Sequence, residues 1–176
     1  MRRLALAAAL ACACAGCAST PRDESDWERR NRENVPPEEG VSLPAYPVAR
    51  DLVEFTFPTS TGFRFFIDRK SLAVGKDGVV RYVLVARSPG GPENVTFEGL
   101  RCASAEQRVY ALGHPDHAWS AARSPWRPLA SARHIALYRD YFCPQNKPIR
   151  DAGEGVRALE SGGHPFAKGL GSQVGR

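Results

Sequence analysis

The chain has 176 residues, with 24 Lys and Arg against 19 Asp and Glu, and 43% of its residues are hydrophobic. This length suits one domain with extensions, and the composition excludes a collagenous chain, a coiled coil and a disulfide-dense mini-protein. The 16 glycines and 14 prolines exceed the usual share and indicate that part of the chain is linker or tail.

The first residues have the pattern of an export signal. Arg2 and Arg3 precede an apolar run over residues 4–15. The run is shorter than the roughly 20 apolar residues that cross a bilayer, and it ends in small residues, as secretory signals do. We therefore expect a signal peptide over residues 1–16.

The end of this signal resembles the bacterial lipobox, in which a cysteine thiol is acylated and the signal is cut directly before it. Ala15 and Gly16 precede Cys17, which is the predicted lipid attachment residue. The sequence departs from the lipobox at Cys14, where an aliphatic residue is usual. Cys12 and Cys14 are rival acceptors that would leave a very short apolar run. The other alternative is an ordinary secretory signal with Cys17 incidental.

An acylated Cys17 predicts a membrane-anchored protein of the cell envelope. Ala18 stands where well-studied inner-membrane lipoproteins have aspartate. By that resemblance we expect the inner leaflet of the outer membrane, with the domain facing the periplasm.

The net charge of the chain does not indicate nucleic-acid binding. Without Arg2 and Arg3 the net charge falls by two from +5, and no cluster of five or more basic residues follows in the chain. Nucleic acid is therefore not an expected partner.

Two cysteines remain in the mature chain, Cys102 and Cys143. In an oxidising compartment two such cysteines are most simply a disulfide. The alternative is a reactive thiol or metal pair, but neither cysteine has a Cys or His neighbour at ligand spacing. We predict the Cys102–Cys143 disulfide.

Composition divides the mature chain into three regions. Residues 17–47 are rich in proline and acidic residues, which predicts an extended tether between the lipid and the domain. Residues 48–147 have the apolar periodicity of one modest core. Residues 148–176 contain seven glycines, which predicts a disordered tail.

The apolar residues of the domain mostly alternate with period two, which is typical of strands. Asp77-Gly78 between apolar runs is a strong hairpin signal. Alternation after this turn predicts Val80, Tyr82 and Leu84 on one face of the sheet. The pattern indicates an antiparallel meander of five or six strands. The predicted strands cover residues 53–57, 63–67, 71–74, 79–87, 94–102 and 107–112.

One segment changes to a helical period. Apolar residues between 130 and 142 recur at spacings of three and four. Pro128 suits the first turn of such a helix, and Pro144 suits its end. One helix packed on the sheet places the domain in the α+β class.

Several motifs together resemble a known family. Residues 66–82 (FIDRKSLAVGKDGVVRY), 97–102 (FEGLRC) and 140–143 (DYFC), with Trp119 and Trp126, are similar to motifs of the cryptic-neisserial-protein-like (CNP1-like) family of proteobacterial envelope proteins. The similarity covers residues 26–145. The family has no assigned activity, so the resemblance implies a domain identity and no catalytic residues.

Few residues have the spacing of a metal or ligand site. His114, Asp116 and His117 share one loop and could begin a metal site, but the further ligands are not apparent, and a solvated turn is favoured. Trp119 and Trp126 either line a groove or belong to the core, which is the commoner place for large aromatic residues.

The charged and nucleophilic residues also show few sequence patterns that indicate a functional site. Arg81, Glu98 and Arg101 predict an ion-pair ladder across neighbouring strands, with an anion site as the alternative. The candidate nucleophiles Ser71, Ser88 and Ser104 lack the Gly-x-Ser-x-Gly context of a nucleophile elbow.

These observations leave two classes of function. The favoured one is a non-enzymatic binding or structural module of the envelope, which binds an envelope protein or peptidoglycan within reach of its lipid anchor. The alternative is a small periplasmic hydrolase or metal-dependent enzyme with its site near His114, His117 and Trp119. No cofactor, metal or catalytic residue is predicted. A deep pocket with converging titratable groups would distinguish the enzyme from the binder.

Overall fold

Seven antiparallel strands form one sheet in the computed structural model, which describes residue 38 and residues 40–60 and 62–167. The strands are β1 (Leu52–Phe55), β2 (Arg64–Val74), β3 (Val79–Arg87), β4 (Glu93–Arg101), β5 (Glu106–Gly113), β6 (Trp119–Ala121) and β7 (Arg127–Pro128). The first six lie side by side in chain order, and β7 pairs with β5. The predicted antiparallel meander and α+β class are confirmed.

The predicted segments 63–67 and 71–74 belong to one long strand, β2. Its register against β3 shifts between Asp68 and Ala73, which marks a bulge. The hydroxyl of Ser71 donates to the carbonyl of Asp68 and accepts from the amide of Val83, each at 2.8 Å. These bonds pair backbone groups at the interruption, so the strand continues across it.

Both faces of the sheet are apolar, because side chains alternate along each strand. Val80, Tyr82 and Leu84 of β3 belong to the cluster on one face, as predicted. Val83 and Val85 of the same strand belong to the cluster on the opposite face. Each face therefore needs its own covering layer.

A helical segment covers the first face. It consists of α1 (Ala132–Ala136) and a wider π-helical turn (Leu137–Phe142), which confirms a helical element in this region. The expected role of Pro128 is wrong: it pairs with Glu106 in β7, so the chain is still extended there. The helix begins instead at Ser131, whose side chain accepts a hydrogen bond from the His134 amide.

A second helix, α2 (Ala152–Glu160), lies in the region predicted to be a disordered tail. Asp151 caps it by accepting from the amide of Glu154 at 2.8 Å. Gly155 faces the core, where a Cβ atom would lie 2.6 Å from Ile149 and 2.7 Å from Leu72. A glycine that suggested disorder thus lets the helix approach the sheet closely, and the predicted disorder is wrong for residues 148–167. Residues 168–176 lie outside the described residues.

The end of the predicted tether covers the second face. Residue 38 and residues 40–47, here called the strap, lie against the sheet; Val41 and Tyr46 pack on its apolar cluster. The boundary between tether and domain at residue 47 is therefore too late. The predicted signal peptide over residues 1–16 and the acylation site Cys17 lie outside the described residues. Within the described ranges, no helix has the length and apolar character needed to span a membrane.

Candidate functional site

The helical layer leaves part of the first face open as a groove. Its volume is about 480 Å³. Strand register places Phe65, Ala86 and Asn94 in one row across β2, β3 and β4, and Leu84 beside Thr96 in the next row. The floor is apolar and the rim is polar. The lining residues are Phe63, Phe65, Leu84, Ala86, Asn94, Thr96 and Arg133.

Arg133 provides the positive charge at this rim. It lies in the first turn of α1, which begins at Ser131. Arg133 forms no ion pair with a described residue, and its buried Nε has no hydrogen-bond partner among them. The groove thus combines an apolar floor with a cation that forms no direct ion pair in the described part of the chain.

A buried chain of hydrogen bonds adjoins the groove. Glu98 lies on β4, with its carboxylate 2.7 Å from Nε2 of His134 and 2.7 Å from the Thr96 hydroxyl. Nδ1 of His134 lies 2.6 Å from the hydroxyl of Ser131. Glu98 and His134 are only 1% and 2% exposed. The order serine, imidazole, carboxylate is the order found in acyl-transfer enzymes, here formed across a helix start and a strand.

The charge of Glu98 is stabilised despite its burial. Burial raises the pKa of this carboxyl, but the hydrogen bonds and charges of its neighbours outweigh that effect and hold the pKa below its ordinary value. The neighbours are His134, Thr96 and Arg133. Burial and Glu98 together raise the pKa of Tyr82, whose hydroxyl lies 3.4 Å from the carboxylate. Glu98 is therefore an ionised acceptor at neutral pH.

The predicted ladder of Arg81, Glu98 and Arg101 does not form. Arg81 pairs with Asp77 at 2.5 Å, and Arg101 lies over the ring of Trp126 at 4.0 Å. Glu98 is opposite Tyr82 in the register and shares its face, whereas Arg81 is opposite Gly99. Since adjacent residues of a strand point to opposite faces, the arginines and the glutamate are separated by the sheet.

Glu38 fastens the strap to the second face. Its carboxylate accepts from Arg108 at 2.6 Å, from the indole of Trp126 at 3.2 Å and from the hydroxyl of Tyr110. It also lies 3.7 Å from the guanidinium of Arg81. Burial and the bond to Glu38 raise the pKa of Tyr110, so this phenol remains a donor at any physiological pH. The contacts explain why the strap stays on the sheet.

The residues of the predicted hydrolase or metal site lie on the strap side of the sheet. His114 and His117 are in the loop between β5 and β6; the ring of His117 stacks on Tyr46 at 4.7 Å. Nε2 of His114 lies 2.9 Å from the Ser120 hydroxyl. Trp119 donates to the carbonyl of Pro44 at 3.0 Å. The side chains of His117 and Trp119 thus contact the strap, whereas that of His114 bonds within the β5–β6 hairpin. No group of three or more metal-binding side chains occurs among the described residues.

Cys102 and Cys143 form the predicted disulfide. Cys102 follows β4 and Cys143 follows the π-helical turn, with their Cα atoms 5.3 Å apart. Cys102 is 1% exposed and Cys143 is 2% exposed. The bond therefore ties the helical layer to the sheet inside the core.

Sequence reasoning missed two members of the groove region. Ser131 precedes His134 by three residues, which is the spacing of a side chain that caps a helix start. That signal was available, but it predicts a cap and not the contact between His134 and Glu98, which are 36 residues apart. Arg133 had no signal at all, because its place in the groove lining depends on how the helical segment packs on the sheet.

Comparison with protein families adds the remaining observation. The sequence model of the CNP1-like family matches residues 31–160, from before the strap to the end of α2. Comparisons with curated proteins and with solved structures gave no match. Because the family match covers well over half of the chain, the protein belongs to the CNP1-like family.

Proposed function

We propose that the protein is a lipid-anchored periplasmic lipoprotein whose domain is a non-enzymatic binding module of the cell envelope, with its ligand in the groove. The groove carries this proposal. Its volume of about 480 Å³ falls within the range of small-molecule sites, and its apolar floor with a few polar side chains is typical of them. Paired strands form the floor, which gives the site a rigid base.

The proposed location rests on three features. The N-terminal signal pattern ends at Cys17, and Ala18 follows it. The Cys102–Cys143 disulfide is typical of proteins in oxidising compartments such as the bacterial periplasm. Together they favour an outer-membrane anchor in the inner leaflet, with the domain in the periplasm.

Acylation is tested by Cys17→Ser in the native host. The variant should move from the membrane fraction to the soluble fraction and should no longer incorporate a fatty-acid probe. Cys14→Ser is the matched control and should label as the wild type does. Labelling that survives Cys17→Ser but not a change at Cys12 or Cys14 would reassign the anchor. In a density gradient, recovery with inner-membrane markers would contradict the proposed outer-membrane location.

Ligand binding in the groove is tested with Nile red, a neutral apolar dye. The wild type should increase the fluorescence of the dye. Ala86→Trp places an indole on the groove floor and should remove most of that increase. Leu43→Trp, on the exposed strap, is the matched control and should bind as the wild type does. A groove variant that binds the dye like the wild type would refute the site.

A hydrolase is the second candidate function, favoured by the Ser131–His134–Glu98 arrangement. The test is hydrolysis of a short-chain p-nitrophenyl ester, which Ser131→Ala should abolish if Ser131 is the nucleophile. We favour the binding module because the hydroxyl of Ser131 also caps α1, so its contacts already have a structural role. Ester hydrolysis that depends on Ser131 would reverse this preference.

A further inference from the structure

We infer that the groove is a site for a single-chain amphiphile with a carboxylate head, and that Arg133 binds this carboxylate. The inference rests on the proposed function, since it names the chemical class of ligand for the same groove. Three features of the groove carry it: the shape of the apolar floor, the guanidinium of Arg133, which forms no direct ion pair with a described residue, and the hydrogen-bonding capacity at the rim.

The floor favours one extended apolar chain. Its members come from adjacent strands: Phe65 on β2 and Ala86 on β3 are opposite each other in the register, with Leu84 two residues from Ala86. Phe63 extends the apolar surface beyond the start of β2. An aliphatic chain that covers these side chains removes apolar surface from water on both partners, at about 25 cal/mol per Å². The small side chain of Ala86 leaves the depth that the chain requires.

The charge at the rim selects an anion. Some surface arginines have carboxylate partners: Arg64 pairs with Glu54 at 2.5 Å, and Arg139 pairs with Asp140 at 2.9 Å. Arg133 has none among the described residues, and its buried Nε is unsatisfied there. What distinguishes Arg133 from the other unpaired arginines is its place in the groove lining. A ligand carboxylate would supply both an opposite charge and two oxygens that match the guanidinium fork.

Glu98 does not take the place of this ligand. Its carboxylate is 1% exposed and is already bonded to His134 and Thr96. It affects Arg133 through its charge and not through a direct ion pair. The charge of Glu98 thus partly balances that of Arg133, but no direct ion pair with a described residue occupies the guanidinium, so its donors are available to the groove.

The rim can also position the head group. Asn94 is exposed, and its side-chain amide has no hydrogen-bond partner among the described residues. The hydroxyl of Thr96 donates to Glu98, so its remaining capacity toward the groove is as an acceptor. The guanidinium of Arg133 and the side-chain amide of Asn94 can therefore both donate hydrogen bonds to one carboxylate head, while the apolar floor holds the single chain attached to it.

The test measures the binding of three ligands of equal chain length by calorimetry, each below its micelle concentration. They are laurate, dodecyl phosphate and dodecanol. The protein is the full chain carrying Cys17→Ser, which cannot be acylated at that residue. The protein with an unaltered groove is compared with two variants of it. Arg133→Gln removes the positive charge, and Arg133→Lys retains it. Arg157→Gln, on the exposed side of α2 and outside the groove lining, is the matched control.

Laurate should bind at least about tenfold more tightly than dodecanol. Arg133→Gln should weaken laurate by about 10- to 100-fold, as expected for the loss of a charged hydrogen bond, while dodecanol changes by less than about twofold. Arg133→Lys should fall between the wild type and Arg133→Gln. Arg157→Gln should match the wild type for every ligand.

Equal affinities for laurate and dodecanol in the unaltered groove would overturn the inference, and that comparison does not depend on any Arg133 variant folding. Dodecyl phosphate binding more tightly than laurate would overturn the carboxylate assignment. Laurate that binds equally to Ala86→Trp would place the amphiphile elsewhere and overturn it too. The Nile red result separates these failures from failure of the proposed function, because a neutral dye reports the groove without its charge selectivity.

Discussion

Glu98 shows at the scale of one residue how a buried charge is maintained in this fold. Its carboxylate receives hydrogen bonds from His134 and Thr96 and experiences the charge of Arg133. Taking a charge out of water is costly, so such a group is retained only where partners compensate for it. If one partner is removed, the others keep buried polar groups without hydrogen bonds, which costs more than the bond itself contributed. The site is therefore sensitive to substitution.

Glu98→Gln should lower the free energy of unfolding by about 3 kcal/mol at pH 7, because it replaces the ionised partner of His134 in a buried pair. The pKa of Glu98 is lowered in the fold, so its stabilising contribution is complete above the unfolded pKa of about 4.3 and is lost as the pH falls through the folded pKa. The difference between wild type and variant should therefore shrink in acid. Urea unfolding at a series of pH values measures it.

The control for this substitution is Glu93→Gln, which removes a carboxylate paired with Arg87 at the surface. Its effect should stay below about 1 kcal/mol, because water screens an exposed pair. A Glu98→Gln difference that is the same at pH 3 and pH 7 would show that the ionised carboxylate is not the source of the stability.

The strap is an element without helix or strand, and each of its hydrogen bonds to the sheet described above involves a side chain. Glu38 fastens one end of it, and bonds from Trp119 to Pro44 and from Tyr46 to His114 hold the part nearer the other end. Its composition resembles that of a linker, with Pro44, Pro47 and several polar residues. Composition cannot reveal docking of this kind, because the partners lie about 70 residues later in the chain and become neighbours only when the sheet forms.

Glu38→Ala should loosen the strap, since it removes the acceptor shared by Arg108, Tyr110 and Trp126. We expect faster amide exchange over residues 40–48 and a loss of about 2 kcal/mol in the free energy of unfolding. Leu43→Ala, exposed on the same segment, is the control and should change neither quantity appreciably. Unchanged exchange over the strap would contradict the clamping role of Glu38. Hydrogen–deuterium exchange with mass spectrometry makes the comparison.

The second element that composition misrepresents is α2. Leu159 is 3% exposed and packs in the core below the sheet, so Leu159→Ala should cost about 2–5 kcal/mol of stability. Arg157→Ala, two residues away on the exposed side of the helix, should change stability by less than about 0.5 kcal/mol. Chemical denaturation measures both. Equal, small effects would mean that α2 does not belong to the folded core.

At the scale of the whole molecule, the disulfide links the two layers on the first face. Reduction of Cys102–Cys143 should lower the stability by about 2–5 kcal/mol and the melting temperature by roughly 10 °C, because the closed loop no longer restricts the unfolded chain. Calorimetry with and without reductant gives the shift. Mass spectrometry after alkylation provides the control: two alkylated core cysteines in the unreduced protein would contradict the bridge.

The arrangement of two covering layers around one sheet also explains where a ligand site is available. The strap and the tryptophans cover the second face, whereas α1 and α2 leave part of the first face open. The candidate groove is thus a consequence of helices that are shorter than the strands they cover.

The strands of this protein followed from its sequence alone. Alternating apolar residues and the Asp77-Gly78 turn specified the strands and the meander, because strand periodicity and turn chemistry act between near neighbours. The disulfide followed because Cys102 and Cys143 are the two cysteines that lie outside the predicted signal peptide and its acylation site. Only the tertiary structure decided which face each charged residue occupies, that Glu38 holds the strap and that Gly155 lets a helix dock. Those outcomes depend on contacts between residues far apart in the chain, which propensity and composition do not describe.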